Sequence, residues 1–443
     1  MMLVVLFKFS FLRRKIMAVV KPFAAIRFNE NKAGSIATLA CPPYDIVSDA
    51  ERAKLIEKNE YNMINLELPK GDNPYESAKE MFKLWQEKGV MTQDMEEGLY
   101  IYEEEFLENV DKGEKNILRG FIARVRVEDF KNGVVLPHEE TLSKAKEDRF
   151  NLMKATNCNF SQIYSLYIDE EKVTDNKLDN ICESTSPRYE FFDGLVTHRL
   201  WVVNDKLTIA SICDDFADRK LYIADGHHRY ETAINYRNYC RENNIYAPEA
   251  GFVMMMLVNM SHKGLVVHPT HRLIRDLENF DSKKLIKDCE EYFTAEEYAD
   301  VKNAEAVLKE KYDEGKCAFA FYDGGESFTL LTLKDRSVMA SVLPEKSEAS
   351  RNLDVSVLHN LILERLLGID KENMANQVNL TYTRSAEEAV DSVVSGKSNC
   401  TFILNPTRVT EIGEVAAAGE KMPQKSTYFY PKIITGLVIN PLY

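Results

Sequence analysis

Apolar residues recur at two different spacings along this chain, and the spacings divide it into helices and strands. Helical spacing follows capping signals such as Ser48–Glu51, Asn73-Pro74 and Ser385–Glu388, and a further helix is predicted from Asp354 to Gly368. Short runs rich in β-branched and aromatic residues predict strands. These runs are 98–106, 119–130, 161–168, 198–203, 220–224, 251–260, 317–323, 327–333 and 400–404.

The order of these elements is mixed rather than a strict alternation of strand and helix. We therefore predict an α+β or mixed α/β fold. The chain has 443 residues, more than the roughly 250–300 that one core usually serves, so we expect several lobes. The predicted division is an upstream extension over 1–16 that lies outside the fold, an N-terminal α/β lobe over 17–130, a core over 131–280 and a C-terminal α/β lobe over 281–443.

Local signals refine this division at two places. The apolar start of the chain is interrupted by Lys8 and its positive cluster follows the apolar part, which is the wrong order for a signal peptide, so Met17 is a plausible true start. The charged stretch 281–315 is predicted to be mostly helical surface.

Charge and cysteine content narrow the function classes. The formal net charge is −14, which disfavours a nucleic-acid partner because phosphate backbones are held by basic faces. The eight cysteines form no C-x-x-C pair, which is typical of a reduced, cytoplasmic protein. No segment is long and apolar enough to predict a membrane span. We expect small-molecule ligands, and the sequence carries no signal of oligomeric state.

The stretch LYIADGHHRYETA, residues 221–233, holds the densest candidate chemistry. A short strand leads into a turn, and an amphipathic helix follows it. The amide groups and the dipole at a helix N-terminus favour an anion, and an arginine adds a bidentate contact to phosphate or carboxylate. We therefore predict a phosphate-binding turn formed by Asp225, Gly226, His227, His228 and Arg229.

Two other interpretations of this turn stay open. In the first, Asp225 merely caps the helix and the histidines satisfy their neighbours. In the second, the histidines bind a metal. Adjacent histidines usually diverge, and no H-x-H or H-E-x-x-H pattern accompanies them, which disfavours the metal.

Two further polar clusters are candidates for proton transfer. His138-Glu139 follows a proline directly after an apolar strand, where a substrate hydroxyl can come within hydrogen-bond reach. Asp45 follows a rigid lead-in formed by two prolines, although a plain turn before the next helix explains it equally well.

The remaining candidates are cationic or hydroxylated. His271 and Arg272 end a β-like run, and both are predicted to be further phosphate-binding residues. Lys425, Ser426 and Thr427 lie near the C-terminus and carry phosphate-binding groups, but no P-loop glycines precede them.

Several of these stretches together resemble one family. KPFAAIR, CPPYDIVS, the HEET…KEDR run, ADGHHRYETA, HPTHRL, LDVSVLH and MPQKSTYFYPK are similar to the family catalogued as domain of unknown function 1015. The resemblance runs from about Lys21 to the C-terminus.

The D-G-H-H-R turn is also similar to that of the ParB/sulfiredoxin-like superfamily, which implies a ParB/sulfiredoxin-like core. In that superfamily the turn holds nucleotide or substrate phosphates, which implies that Gly226, His227, His228 and Arg229 bind phosphate. The sulfiredoxin version carries a cysteine where this chain has histidine, and partition proteins carry a DNA-binding region that the acidic charge does not support. The free-serine kinases fit best, and their glutamate base is matched to Glu139.

These observations predict a phosphoryl-transfer enzyme acting on a small hydroxylated metabolite, most plausibly the serine/phosphoserine couple, as kinase or phosphatase. The nucleotide is expected to bring Mg²⁺, held by carboxylates such as Asp225. The rival hypotheses are a nucleotide-binding regulatory protein without turnover, a metal-dependent hydrolase using His138, His227 and His228, and a structural protein without a site.

Overall fold

The computed structural model describes residues 17–109, 114–139 and 143–443, so the predicted extension 1–16 lies outside the described residues. The strands are β1 Val20–Lys21, β2 Ile26–Phe28, β3 Met91–Gln93, β4 Leu99–Asn109, β5 Glu114–Arg126, β6 Val135–Pro137, β7 Cys158–Asn159, β8 Ile163–Tyr167, β9 Tyr189–Phe192, β10 Val196–Val203, β11 Leu221–Asp225, β12 Phe252–Asn259, β13 Val266–His268, β14 His271–Ile274, β15 Phe293–Tyr298, β16 Ala318–Tyr322, β17 Phe328–Leu333, β18 Leu380–Thr383, β19 Cys400–Leu404, β20 Tyr428–Tyr430 and β21 Asn440–Pro441.

Helices connect these strands. They are α1 Glu30–Ala33, α2 Ile36–Leu39, α3 Asp49–Lys58, α4 Ile64–Glu67, α5 Pro74–Glu87, α6 Ser143–Thr156, α7 Val173–Ser184, α8 Lys206–Asp214, α9 His227–Glu242, α10 Ser282–Cys289, α11 Ala304–Asp313, α12 Met339–Val342, α13 Glu348–Asn352, α14 Asp354–Val357, α15 Lys371–Asn376, α16 Ala386–Val394 and α17 Val409–Ala417. Helix α14 continues directly into a π-helix, Leu358–Glu364.

The mixed α/β class is confirmed, and each predicted strand segment overlaps an observed strand. The Ser48 capping box is present, because its side chain accepts from the Glu51 amide while the Glu51 carboxylate accepts from the Ser48 amide. Helix α16 begins in the same way, with Ser385 accepting from the Glu388 amide. The side-chain caps that the sequence predicted are therefore present at the starts of both helices.

The larger sheet has nine strands and carries the predicted turn. Its order is β6-β11-β8-β12-β5-β4-β10-β9, and β1 pairs with β5. Strand β11 runs parallel to β6 and antiparallel to β8, so the strand that leads into the turn is hydrogen-bonded on both sides. The sheet takes strands from both 17–130 and 131–280, and the division into three lobes stays a prediction.

A second sheet of six strands has the order β15-β17-β16-β19-β14-β18, with antiparallel pairing throughout. Its edge strand β15 lies inside the charged stretch 281–315 and was not predicted. Only one β15 residue, Phe293, is buried, so the period-2 signal is weak there.

The C-terminal segment runs back to the larger sheet. Strand β20 pairs with β13, and β21 pairs with β7 beside the turn-bearing core. A continuous buried cluster contains apolar residues of both sheets, including Met256, Phe319 and Phe429. In the part of the chain that the structure describes, no helix combines the length and apolar character needed to cross a membrane.

Candidate functional site

The predicted turn joins β11 to α9 at Gly226. This residue has φ 94° and ψ 28°, which is the left-handed region that glycine adopts readily. A Cβ at Gly226 would lie 2.9 Å from Nε of Arg229, whose guanidinium folds back over the turn. The N-cap residue of this sixteen-residue helix is Gly226, which has no side chain to accept from the first amides of α9. Asp225 lies one residue before the cap position, and its Oδ1 accepts from the Gly226 amide at 2.9 Å.

Asp225 is surrounded by cations. Its Oδ2 accepts from Nζ of Lys432 at 3.1 Å and lies 3.7 Å from Arg229. Burial alone would raise the pKa of Asp225, but the charges of Lys432 and Arg229 outweigh it and hold the pKa below its ordinary value. The same carboxylate raises the pKa of Lys432 against the effect of burial. Both groups therefore stay charged at neutral pH.

Two histidines pack behind the turn as neutral rings. Nδ1 of His138 lies 2.5 Å from the carbonyl oxygen of Ile223, so Nδ1 carries the proton. Nε2 then accepts from Oγ1 of Thr427 at 2.9 Å. The His138 amide donates to Nε2 of His227 at 3.3 Å, which places the His227 proton on Nδ1. Burial lowers the pKa of both histidines, which keeps the rings uncharged.

Glu139 is held by the C-terminal segment. Its Oε1 accepts from the Ser426 amide at 3.1 Å. The Ser426 hydroxyl donates to the carbonyl of Pro423 at 2.6 Å, and the Thr427 hydroxyl donates to His138. Both hydroxyl groups therefore donate to acceptors within the protein. Among Lys425, Ser426 and Thr427, the lysine has the exposed side chain.

Asp45, His228 and Lys425 lie in one electrostatic neighbourhood at the edge of the turn. Burial lowers the pKa of His228, and the charges of Asp45 and Lys425 act on it in opposite directions. Asp45 is exposed and also acts on the charge of Lys432. The structure therefore brings these sequence-predicted residues together around the Asp225–Lys432 pair.

His271 and Arg272 lie in the second sheet. Nδ1 of His271 accepts from the Leu404 amide at 3.2 Å, and burial lowers the pKa of His271 to about 4. Arg272 is fully buried, with its guanidinium bonded to the Thr270 carbonyl and to Nε2 of His359. Burial lowers the pKa of Arg272 to about 10.

The side chains around the turn are poorly suited to bind Mg²⁺. Within residues 17–109, 114–139 and 143–443, no group of three or more histidine, cysteine, aspartate or glutamate side chains is placed to hold a metal ion. Asp225, the predicted Mg²⁺ ligand, is already neutralised by Lys432 and Arg229. The ring nitrogens of His138 are engaged on both sides. These residues do not fit a resident metal.

Two contributors escaped sequence reasoning. Lys432 follows Pro431 at the end of a stretch that was recognised, but no local signal tied it to Asp225, 207 residues away. The Gln162 carbonyl accepts from Arg229 and orients its guanidinium.

A buried acid also lies near the site. Burial raises the pKa of Glu104 to about 7, and its charge reaches Tyr164, the strand partner of Asp225.

Comparisons with known proteins complete this description. No curated protein matches the chain. Similar solved structures include a conserved hypothetical protein from Pyrococcus furiosus (14% identity, TM-score 0.36, 73% of this chain and 97% of that one). They also include a mutant free serine kinase in complex with ADP (13%, TM-score 0.37, 72% and 91%) and truncated SbnI from Staphylococcus aureus (11%, TM-score 0.36, 72% and 87%). Likenesses of this extent carry no argument about function. The family model described as "Protein of unknown function (DUF1015)" matches residues 20–356, and the chain therefore belongs to that family.

Proposed function

We propose that this protein transfers a phosphoryl group between a nucleotide and a small hydroxylated metabolite, most plausibly serine. The observation that carries the proposal is the N-terminus of α9 directly after Gly226, flanked by the cations Arg229 and Lys432. Phosphoryl transfer depends mainly on positioning and on neutralising phosphate charge, and this turn supplies groups for both.

The phosphate lies against the amides of residues 227–229. The helix dipole and the amide donors favour the anion, and a side chain at position 226 would displace the Arg229 guanidinium. Lys425 and His228 lie at the edge of the turn, where Lys425 adds positive charge and His228 adds a neutral donor.

In the kinase direction, the hydroxyl oxygen of the metabolite attacks the terminal phosphorus of the nucleotide. The bond between this phosphorus and the bridging oxygen breaks, and the shortened nucleotide leaves with the electron pair. Glu139, oriented by the Ser426 amide, takes the hydroxyl proton, and Asp45 is the alternative acceptor. The reverse sequence uses the same residues to dephosphorylate phosphoserine with a nucleotide as acceptor.

The direct test follows phosphate by ³¹P NMR. The full-length protein is incubated with Mg²⁺ and serine or phosphoserine, together with adenosine and guanosine mono-, di- and triphosphates in turn. We expect a phosphoserine signal to appear or disappear in at least one combination. If nucleotide binds tightly but no phosphoryl transfer occurs in any combination, the enzyme hypothesis is wrong. The protein would then be a nucleotide-binding regulatory protein.

A narrower test compares two arginines on α9. Arg229→Ala removes the guanidinium over Gly226, whereas Arg241→Ala changes an exposed residue at the other end of the helix. Losing a charge-assisted contact worth about 1.5–3 kcal/mol is expected to weaken nucleotide binding by Arg229→Ala roughly tenfold or more. Arg241→Ala is expected to bind nucleotide as wild type does. Equal affinities in both variants, with unchanged thermal unfolding, would contradict the proposed phosphate site.

A further inference from the structure

A separate cavity lies between the π-helix Leu358–Glu364 and the segment 421–424. Its volume is about 150 Å³, room for a small organic molecule. Its wall combines apolar and polar side chains; those that matter below are Lys346, His359, Lys371, Met374, Ala375 and Met422. Small-molecule sites typically combine an apolar lining with a few placed polar groups.

A buried positive charge stands directly behind this wall. Arg272 is 0% exposed, and its Nη2 and Nε lie 3.3 and 3.4 Å from Nε2 of His359. Its remaining contacts are the Thr270 carbonyl and the ring of Tyr382, 5.3 Å away. Among the residues that the structure describes, no carboxylate forms an ion pair with Arg272, although the charge of Glu139 reaches it. A buried charge without a counter-ion is costly, so a role for it is expected.

His359 links the charge of Arg272 to the cavity. Because its Nε2 accepts from Arg272, the ring proton must reside on Nδ1. In the described ranges, Nδ1 has no hydrogen-bond acceptor, while the ring lines the cavity. The guanidinium polarises the ring and makes Nδ1–H a stronger donor. His359 also belongs to a π-helix, a rare element that is frequent at functional sites.

The mouth of the cavity adds positive charge. Lys346 and Lys371 line it, against one lining carboxylate, Glu364. Within the described part of the chain, neither lysine forms an ion pair, although Lys346 lies within electrostatic range of Glu420. Lysines therefore outnumber carboxylates in the lining of the cavity.

We propose that this cavity binds a small organic carboxylate. The carboxylate accepts from Nδ1 of His359 and faces Lys346, and a short apolar part packs on Met374 and Met422. The volume of about 150 Å³ suits a short-chain acid. The site is distinct from the phosphate-binding turn and does not depend on the proposed phosphoryl transfer.

The test uses butyrate and the full-length protein in ligand-observed NMR and calorimetric titrations. Lys346→Met removes a cation at the cavity, and Lys397→Met is its matched control on an exposed lysine elsewhere in the same sheet region. Ala375→Phe fills the cavity without changing its charge. We expect butyrate to bind wild type and Lys397→Met equally, with affinity about tenfold lower in Lys346→Met and Ala375→Phe.

Two further variants separate this site from the turn. His359→Phe is expected to abolish butyrate binding, whereas Arg229→Ala is expected to leave it unchanged. The proposal is overturned if butyrate does not bind wild type, if Ala375→Phe binds it as well as wild type does, or if inorganic phosphate alone occupies the cavity. None of these results bears on nucleotide binding at Gly226.

Discussion

Replacing Glu104 by glutamine is expected to stabilise the protein, and the gain is expected to depend on pH. Glu104 is 0% exposed on β4. Its Oε1 accepts from the Tyr102 hydroxyl at 2.9 Å and lies 3.7 Å from Nδ1 of His198, while Oε2 has no partner among the described residues. Burial raises the pKa of Glu104 to about 7 against the opposing effects of His198 and Tyr102. The charged carboxylate is therefore poorly accommodated.

The sign of the pH dependence follows from proton linkage. The folded protein holds the Glu104 proton more tightly than the unfolded chain, whose carboxyl titrates near 4.3. Wild type therefore loses stability as pH rises from about 4.3 through about 7, and the loss is complete above that range. The difference between the two pKa values corresponds to about 3.7 kcal/mol, with glutamine representing the protonated state.

Urea unfolding at pH 5 and pH 8 measures this effect, with the same substitution at Glu105 as a control. Glu105 is the next residue on β4, but its carboxylate pairs with Lys115 and Arg199 at the surface. We expect Glu104→Gln to exceed wild type by about 1 kcal/mol at pH 5 and by up to about 3.7 kcal/mol at pH 8. Glu105→Gln is expected to be neutral or slightly destabilising. A Glu104→Gln gain of equal size at both pH values would refute the argument.

Three further predictions concern helix starts and the turn. Ser48→Ala removes the capping box and is expected to cost about 1 kcal/mol in urea unfolding; an unchanged midpoint would contradict the observed cap. Gly226→Ala places a side chain at φ 94° against Arg229, so we expect a loss of roughly 1–3 kcal/mol and weaker nucleotide binding by calorimetry; wild-type stability would contradict the geometry. Lys432→Met removes the partner of Asp225, whose lowered pKa stabilises the fold above its ordinary range near 4. The cost is expected to be about 2 kcal/mol at pH 7 and smaller at pH 4, and a cost independent of pH would count against the ion pair.

Local patterning determined much of the fold in advance. The predicted strand segments became strands because their apolar runs could be buried on both faces of a sheet, as in β12. Predicted helix starts followed from side chains that cap backbone amides within three residues. Where local signals were weak, as in the mostly exposed strand β15, sequence reasoning missed the element.

Local patterning did not predict the π-helix or the hydrogen bonds between residues far apart in the chain. The helix from Asp354 was expected to run as one element to Gly368, but it continues as a π-helix through residues 358–364. His271 and Arg272 were expected near a phosphate, yet the structure commits Arg272 to His359, 87 residues away. Such contacts form only when distant segments fold against one another, because no local period encodes them.

The turn at Gly226 illustrates both parts. The sequence by itself determined a strand, a glycine and a helix start, because these depend on residue types within a few positions of one another. Only the tertiary structure decided that Lys432 pairs with Asp225, that His138 and His227 are neutral supports, and that Asp45 and Lys425 lie beside His228. Charge neutralisation and tautomer choice depend on neighbours brought together by folding, and their energies are set by burial rather than by order along the chain.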